Sequence, residues 1–144
     1  MKCVFLVSCV KKKKKSPHPA AELYDSNWFR GARRLVEATE CPWFILSAKH
    51  HLLSPNRIIK PYNQTLNEMP SREVKAWAKK VQEQMIDKLP DADSVVILAG
   101  ERYRKHLMPC LKKRYTNITI PMEGITSFKQ LKWLKDANVE NILP

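Results

Sequence analysis

The stretch Lys2-Cys3-Val4-Phe5-Leu6-Val7-Ser8-Cys9, which runs into five consecutive lysines from Lys11 to Lys15, decides how this chain is read. Lys2 to Ser8 is short, continuously apolar, rich in Val and closed by a polar break, the pattern of a buried strand. A Ser8-Cys9 pair at the carboxyl end of such a strand, with concentrated positive charge beyond it, stands where an open α/β sheet binds an anionic ligand. A phosphate-bearing ligand fits that charge.

Further runs repeat the pattern. Trp43-Phe44-Ile45-Leu46 reads as a second buried strand, ending in Ser47-Ala48-Lys49-His50-His51. Ser94-Val95-Val96-Ile97-Leu98-Ala99 reads as a third, closed by Gly100, and Ile118-Thr119-Ile120 as a short fourth, stopped by Pro121. Helical spacing lies between them. Ser26 is placed to cap a helix from Asn27 to about Thr39, with Phe29, Ala32, Arg33 and Val36 in phase. Ser71 caps a longer helix to about Leu89, with an apolar stripe of Val74, Trp77, Ala78, Val81 and Met85. A basic helix is expected from about Glu101 to Arg114, and a last one from Ser127 to Asp136 with Phe128, Leu131 and Leu134 inward. Loops cover Lys11 to Pro19 and Ser54 to Pro70.

Strands that alternate with helices, and that lack a period of two, predict a parallel sheet covered on both faces. The expected architecture is therefore α/β: a three-layer α/β/α sandwich with a short, mainly parallel sheet of about four strands, in a single domain over residues 1–144.

Charge and absent motifs narrow the function. Lys+Arg number 26 against 14 Asp+Glu, a net charge of +12, which favours a polyanionic partner, nucleic acid or a nucleotide. A generally basic protein is the plainer alternative. No stretch approaches the ~20 apolar residues of a membrane span. The lysines follow the first apolar run instead of preceding it, unlike a signal peptide, so a cytoplasmic protein without a membrane partner is expected. Cys3, Cys9, Cys41 and Cys110 form no CxxC and no zinc spacing, so free thiols and no metal are expected. With Gly31, Gly100 and Gly124 the only glycines, there is no Walker A loop and no GxGxxG; G-x-S-x-G and HExxH are also missing. No cofactor is expected.

Chemistry-bearing residues gather at three strand ends: Ser8 and Cys9; Ser47, Lys49, His50 and His51; Gly100, Glu101 and Tyr103. Cys9 is either a nucleophile, its thiolate favoured by Lys11, Lys12 or Lys13, or a small hydrophobe filling the strand end. The run Lys11, Lys12, Lys13, Lys14, Lys15 either neutralises phosphates or is a solvated, mobile loop. His50 and His51 are candidate proton-transfer groups, of which adjacency allows at most one to face a site. Tyr24, Trp28, Trp43, Tyr62, Trp77, Tyr103 and Trp133 are the aromatics from which a base-stacking platform could be built; Trp77 and Trp133 sit on helical stripes and read as core, and Tyr24, Tyr62 and Tyr103, near loops or helix starts, are the better candidates.

Several motifs then stand together: Ser8-Cys9-x-Lys11; Ala21-x-Leu23-Tyr24-x-Ser26-x-x-Phe29 with Arg33 or Arg34; Leu46-Ser47-Ala48-Lys49-His50-x-Leu52-Leu53; Pro61-Tyr62-x-x-Thr65-Leu66. They resemble an uncharacterised bacterial, archaeal and phage family, catalogued as a domain of unknown function, whose members include neighbours of deazaguanine DNA-modification genes. Gly100-x-x-Tyr103-x-x-x-Leu107 and the ending Gln130-Leu131-x-Trp133-Leu134 look similar too. His51 stands where that family usually has glycine, which bears on how closely the backbone there can approach a partner. The Ser-Cys…Tyr…Ser segment is also distantly similar to the cysteine-lysine-tyrosine-serine motif of archaeosine synthase, although a single residue separates Tyr24 from Ser26.

By that analogy the fold resembles the uracil-DNA-glycosylase-like sandwich and the ligand is a nucleobase or nucleotide. The resemblance implies a nucleobase-directed enzyme, cleaving an N-glycosidic bond or modifying a base. In that reading Ser8, Cys9, Lys11, Ser47, Gly100 and Tyr103 line the pocket, and Tyr24 stacks on the base. Ser26 and Arg33 hold phosphate, Lys49 and His50 stabilise charge or move a proton, and Tyr62 and Asn63 close the site. The alternatives are a non-catalytic DNA- or RNA-binding protein, using the lysine run and an Arg102/Arg104/Lys105 helix face, and a small-nucleotide sensor or hydrolase.

Overall fold

The computed structural model describes residues 2–144. Strand β1 (Cys3–Ser8) is the spine, with every residue buried. On one side it pairs in parallel with β3 (Trp43–Ser47), in the register Phe5 to Trp43 through Ser8 to Leu46. On the other it pairs in parallel with β6 (Ser94–Leu98), from Cys3 opposite Ser94 to Val7 opposite Leu98. β7 (Asn117–Thr119) extends the sheet in parallel beyond β6, and β4 (His51–Leu53) closes the other edge antiparallel to β3. The five-stranded order is β4-β3-β1-β6-β7. A central strand flanked on both sides and both faces must be apolar throughout, which is why the three longest strands read as unbroken hydrophobic runs.

The mainly parallel α/β sheet is as expected, with one strand more. The hairpin that adds β4 turns at Ala48-Lys49-His50 and places His51 at a φ of 64°, where Ser47 and His51 pair. A three-residue loop followed by a left-handed residue is a standard hairpin geometry. This left-handed backbone is the one that glycine adopts at no steric cost.

The helices form the two outer layers. α2 (Asn27–Ala38) crosses from β1 to β3, and α3 (Ser71–Lys88) from β3 to β6. Because right-handed crossovers in opposite directions lie on opposite faces, α2 and α3 cover different sides of the sheet. α6 (Ser127–Asp136) and α7 (Val139–Ile142) pack on α2. There Arg34 donates to the carbonyls of Leu134 (2.8 Å) and Ala137 (3.2 Å). α4 (Glu101–Arg104) and α5 (Met108–Arg114) lie beside α3, joined through Gln82 to the His106 carbonyl and Arg114 to those of Met85 and Leu89. Among the described residues, no helix is long and apolar enough to cross a membrane.

Four expectations change. The basic helix from Glu101 to Arg114 is two helices, and Pro109 opens the second, where its missing N–H costs nothing. Ser71 is the first residue of α3 and Pro70 its cap, without a capping side chain. In α6 only Leu134 is buried; Phe128 is 85% exposed and Leu131 42%. Finally, the loop from Lys11 to Pro19 is not free. Lys13 bridges to Tyr24, Lys14 N–H donates to Leu23 (2.9 Å), and Asp25 N–H to Lys12 (2.9 Å). His18–Pro19 (β2) then pairs antiparallel with Ile58–Ile59 (β5), and Ala20–Leu23 forms a turn of helix, α1.

Candidate functional site

The strand order reverses at β1 and β6: the chain goes from β1 to one neighbour, β3, and then crosses to the other side of β1. At such a reversal the connections diverge and leave a crevice beyond the carboxyl ends of the strands. A cleft of about 640 Å³ lies there. β1 and its continuation contribute Ser8, Cys9 and Lys11; β6 and α4 contribute Gly100 and Tyr103. Ser26, Asn27 and Trp28 come from the start of α2, Thr65, Asn67 and Glu68 from a short helical turn at Leu66–Glu68, and Ser127, Gln130 and Leu131 from α6.

The start of α2 is built for an anion. Ser26 Oγ accepts the N–H of Phe29 (3.0 Å) and its carbonyl accepts that of Arg30 (3.0 Å). The Asn27 and Trp28 amides have no place in the intrahelical ladder and sit at the positive end of the helix dipole. Lys11 adds an exposed ammonium, shared at 3.4 Å with Glu68, the one carboxylate lining the cleft. The Trp28 indole is fixed by its N–H donating to Gln130 Oε1 (2.8 Å), and Gln130 in turn donates to the Ile125 carbonyl (2.8 Å).

Cys9 is buried at the floor, and its thiol donates to the Tyr103 hydroxyl at 3.5 Å. That hydroxyl also accepts the Leu66 N–H (3.2 Å) and meets Thr65 Oγ1 (3.4 Å). Burial, then the neighbouring Cys9, holds the Tyr103 hydroxyl well above the ordinary tyrosine range, so it stays protonated. Behind this lies a second buried chain. Tyr24 and Tyr62 share a hydrogen bond of 2.6 Å, Tyr62 and Ser47 Oγ one of 2.8 Å, and Ser47 Oγ accepts the His50 N–H (2.9 Å). Burial, then Cys9, pushes both tyrosine hydroxyls upward as well.

Lys13 lies against the second chain. Its ammonium sits 4.2 Å from the Tyr62 ring centroid and 5.7 Å from that of Tyr24, and donates to the Lys11 carbonyl (2.9 Å). Burial lowers its pKa; Cys9 opposes the shift and Lys11 adds to it. The aromatic faces compensate in part for the water it has lost. His50 meets Tyr62 edge-on at 5.5 Å, and burial, with Arg57, Lys49 and His51, lowers its pKa.

The motifs that build this floor and its walls fall inside one family pattern. The chain belongs to DUF6884, a family of unknown function, whose pattern matches residues 4–136. No curated protein and no solved structure matches it. The matched span of this DUF6884 domain contains every residue of the cleft.

The site residues expected from sequence separate into three groups. Ser8, Cys9, Lys11, Ser26, Gly100 and Tyr103 line the cleft together. Gly100 is there without steric need, since a Cβ would meet nothing within 4 Å. Tyr24, Ser47, Tyr62, Lys13 and His50 form the supporting layer. Tyr24 is 1% exposed and Tyr62 8%, so neither offers a free ring face to a base, and Tyr103 at 6% reaches the cleft mainly through its hydroxyl. The remainder lie apart. Lys49 is exposed in the hairpin turn, Asn63 is exposed outside the cleft lining, and Lys12, Lys14 and Lys15 face solvent. Arg33 is engaged by the Ala21 carbonyl (3.0 Å) and Glu37 (3.0 Å), tying α1 to α2 instead of holding phosphate. Sequence reading missed Asn27, Thr65, Asn67, Glu68 and Gln130 as cleft residues, and ranked Trp28 below the tyrosines as a stacking surface. The usable signal was Trp28, an aromatic in the first turn of a capped helix beside the first strand end.

Proposed function

We propose that this DUF6884 protein is a nucleobase-directed enzyme acting on nucleic acid or nucleotides, by N-glycosidic cleavage or base modification. One observation carries the reading: a single cleft at the sheet's reversal point combines an anion-ready helix start, a fixed indole, a buried thiol on a neutral tyrosine, and one carboxylate. Phosphate fits Lys11 and the Asn27 and Trp28 amides. The Trp28 ring is the stacking surface for a base, a role for which sequence alone preferred the tyrosines. Cys9 is the reactive group on the floor, with Tyr103 able to return a hydrogen bond to its thiolate. Glu68 stabilises an oxocarbenium-like sugar or accepts a proton from water. The α/β/α layering and the position of the cleft accord with the uracil-DNA-glycosylase-like relation implied by the motifs.

The test is incubation with plain and base-modified DNA and RNA, with free bases and abasic aldehydes read by mass spectrometry. Release that disappears in Cys9→Ala and falls in Glu68→Gln supports the reading. Release at the wild-type rate in both variants overturns it. The ordered strap with Lys12, Lys14 and Lys15 outward favours a second reading, a non-catalytic nucleic-acid binder. Salt-dependent binding without product, unchanged by Cys9→Ala, is its mark.

A further inference from the structure

α6 buries too little of itself. Only Leu134 is covered, while Phe128 is 85% exposed and Leu131 42%, on the same helix. Its backbone approaches α2 most closely where a Cβ on Gly31 would lie 3.1 Å from Leu134 Cβ. Beside that contact runs a groove of about 660 Å³ between α2 and α6, lined by Arg30, Arg34, Lys132 and Lys135 against Asp136 alone. Asp25 shares the charge of Arg30, and Asp136 lies 3.2 Å from Lys132. Arg34 is held by two backbone carbonyls, which orient its guanidinium without neutralising it. The groove keeps a positive excess.

The groove is continuous with the cleft, because Asn27 and Leu131 line both. α6 also gives Ser127 and Gln130 to the cleft, while Phe128 lines neither hollow; with Leu131, Lys132 and Trp133 it borders a further one, which shares Leu131, Lys132 and Asp136 with the groove. Lysines at 129, 132 and 135 alternate with Phe128, Leu131 and Trp133. Cations that follow a phosphate backbone, interleaved with apolar and aromatic surface for bases, are the chemistry of strand binding.

We infer that α6 and the α2/α6 groove are the docking surface for a nucleic-acid strand, with Phe128 stacking on a base farther along the strand than the one presented to the cleft. The inference rests on the cleft being a nucleobase site, and it makes the substrate a polymer instead of a free nucleotide. An apolar ring on the path of a strand gives one of its bases a face to stack on. That role gives a reason for a phenylalanine so fully in water.

The experiment measures binding of a fluorescein-labelled single-stranded oligonucleotide by anisotropy over a salt series. The proteins are the wild type, Phe128→Ala, Lys132→Gln/Lys135→Gln and, as a charge-matched control, Lys75→Gln/Lys79→Gln on the exposed side of α3. All five positions are exposed, so folding is not at stake. Phe128→Ala should weaken binding about tenfold, the loss of one base stack. The α6 pair should reduce the slope of log K against log salt by about 1.4, two phosphates at ~0.7 each, with the control unchanged. Equal effects of the two lysine pairs, an unaffected Phe128→Ala, or no binding would overturn the inference. Self-association abolished by Phe128→Ala, with oligonucleotide affinity intact, would assign the face to a second copy and also overturn it. Base release from free nucleosides, without oligonucleotide binding, sinks this surface and leaves the cleft reading standing. α6-dependent binding without base release does the reverse.

Discussion

Tyr62→Phe removes one oxygen from the centre of the buried chain, and the cost depends on which neighbours lose their only partner. The Tyr62 hydroxyl serves both Tyr24 (2.6 Å) and Ser47 (2.8 Å). Ser47 keeps the His50 N–H, but Tyr24, 1% exposed, is left with only a weaker approach to Ser47. A lost buried hydrogen bond costs about 1 kcal/mol, and a stranded buried hydroxyl costs roughly 1–3 kcal/mol more. Tyr62→Phe should therefore destabilise by about 3 kcal/mol, and Tyr24→Phe, which leaves Tyr62 on Ser47, by about 1 kcal/mol. The double variant removes the stranded hydroxyl as well, so it should cost about 2 kcal/mol, roughly 2 kcal/mol less than additivity requires. Urea unfolding reads this as midpoints at constant m. Additivity within about 0.5 kcal/mol, or a neutral Tyr62→Phe, would refute the argument. The second result would return Tyr62 to a free, pocket-closing role.

Other perturbations read separate parts of the fold. His51 and Glu40 hold φ values of 64° and 62°. The left-handed conformation costs an L-residue about 1–2 kcal/mol, which glycine's extra freedom when unfolded offsets only partly, so His51→Gly and Glu40→Gly should each raise Tm; a fall in either refutes the strain. Ser26→Ala removes the cap on Phe29 and should cost about 1 kcal/mol by thermal unfolding; no loss would mean that the first turn of α2 does not need it. Burial lowers the pKa values of His50 and His51, so the unfolded chain takes up their protons first as pH falls. Stability should thus be full above the unfolded value of about 6.5 and decline below it, and His50→Gln/His51→Gly should flatten that decline; an unchanged pH profile refutes it.

Legibility in the sequence tracks how locally each feature is determined. β1, β3 and β6 were readable because burial on both faces forces unbroken apolar runs, and α2 because its cap and its periodic face are both local. β4 has three residues, too few for any pattern, and its turn relies on a histidine in a conformation that favours glycine. In α6 the spacing of Phe128, Leu131 and Leu134 gives a helical stripe, but spacing cannot say whether a partner covers it. Of the three, only Leu134 is buried against α2, opposite the glycine that lets the helices approach.

The site was half legible for a related reason. A strand's carboxyl end is fixed by the strand, so Ser8, Cys9 and Gly100 could be placed from sequence, whereas Trp28 and Gln130 are cleft residues only because two chain-distant helix starts converge on one sheet end. The tyrosines misled because nearness to a loop was taken for nearness to solvent; a hydroxyl satisfied by another buried hydroxyl allows the ring to be core. The lysine run shows the limit most sharply. Five identical residues carry no positional information until the backbone is paired, and it is the bridge of Lys13 to Tyr24 that tells them apart. One lysine then faces the cleft, one lies against Tyr62 with its charge partly stripped of water, and three stay in solvent. The field of the three outer lysines is screened by salt over about a Debye length, whereas Lys11 borders the cleft and Lys13 lies against buried rings. Net charge is a property of composition, whereas the pairing of one backbone segment decides which lysine borders the cleft.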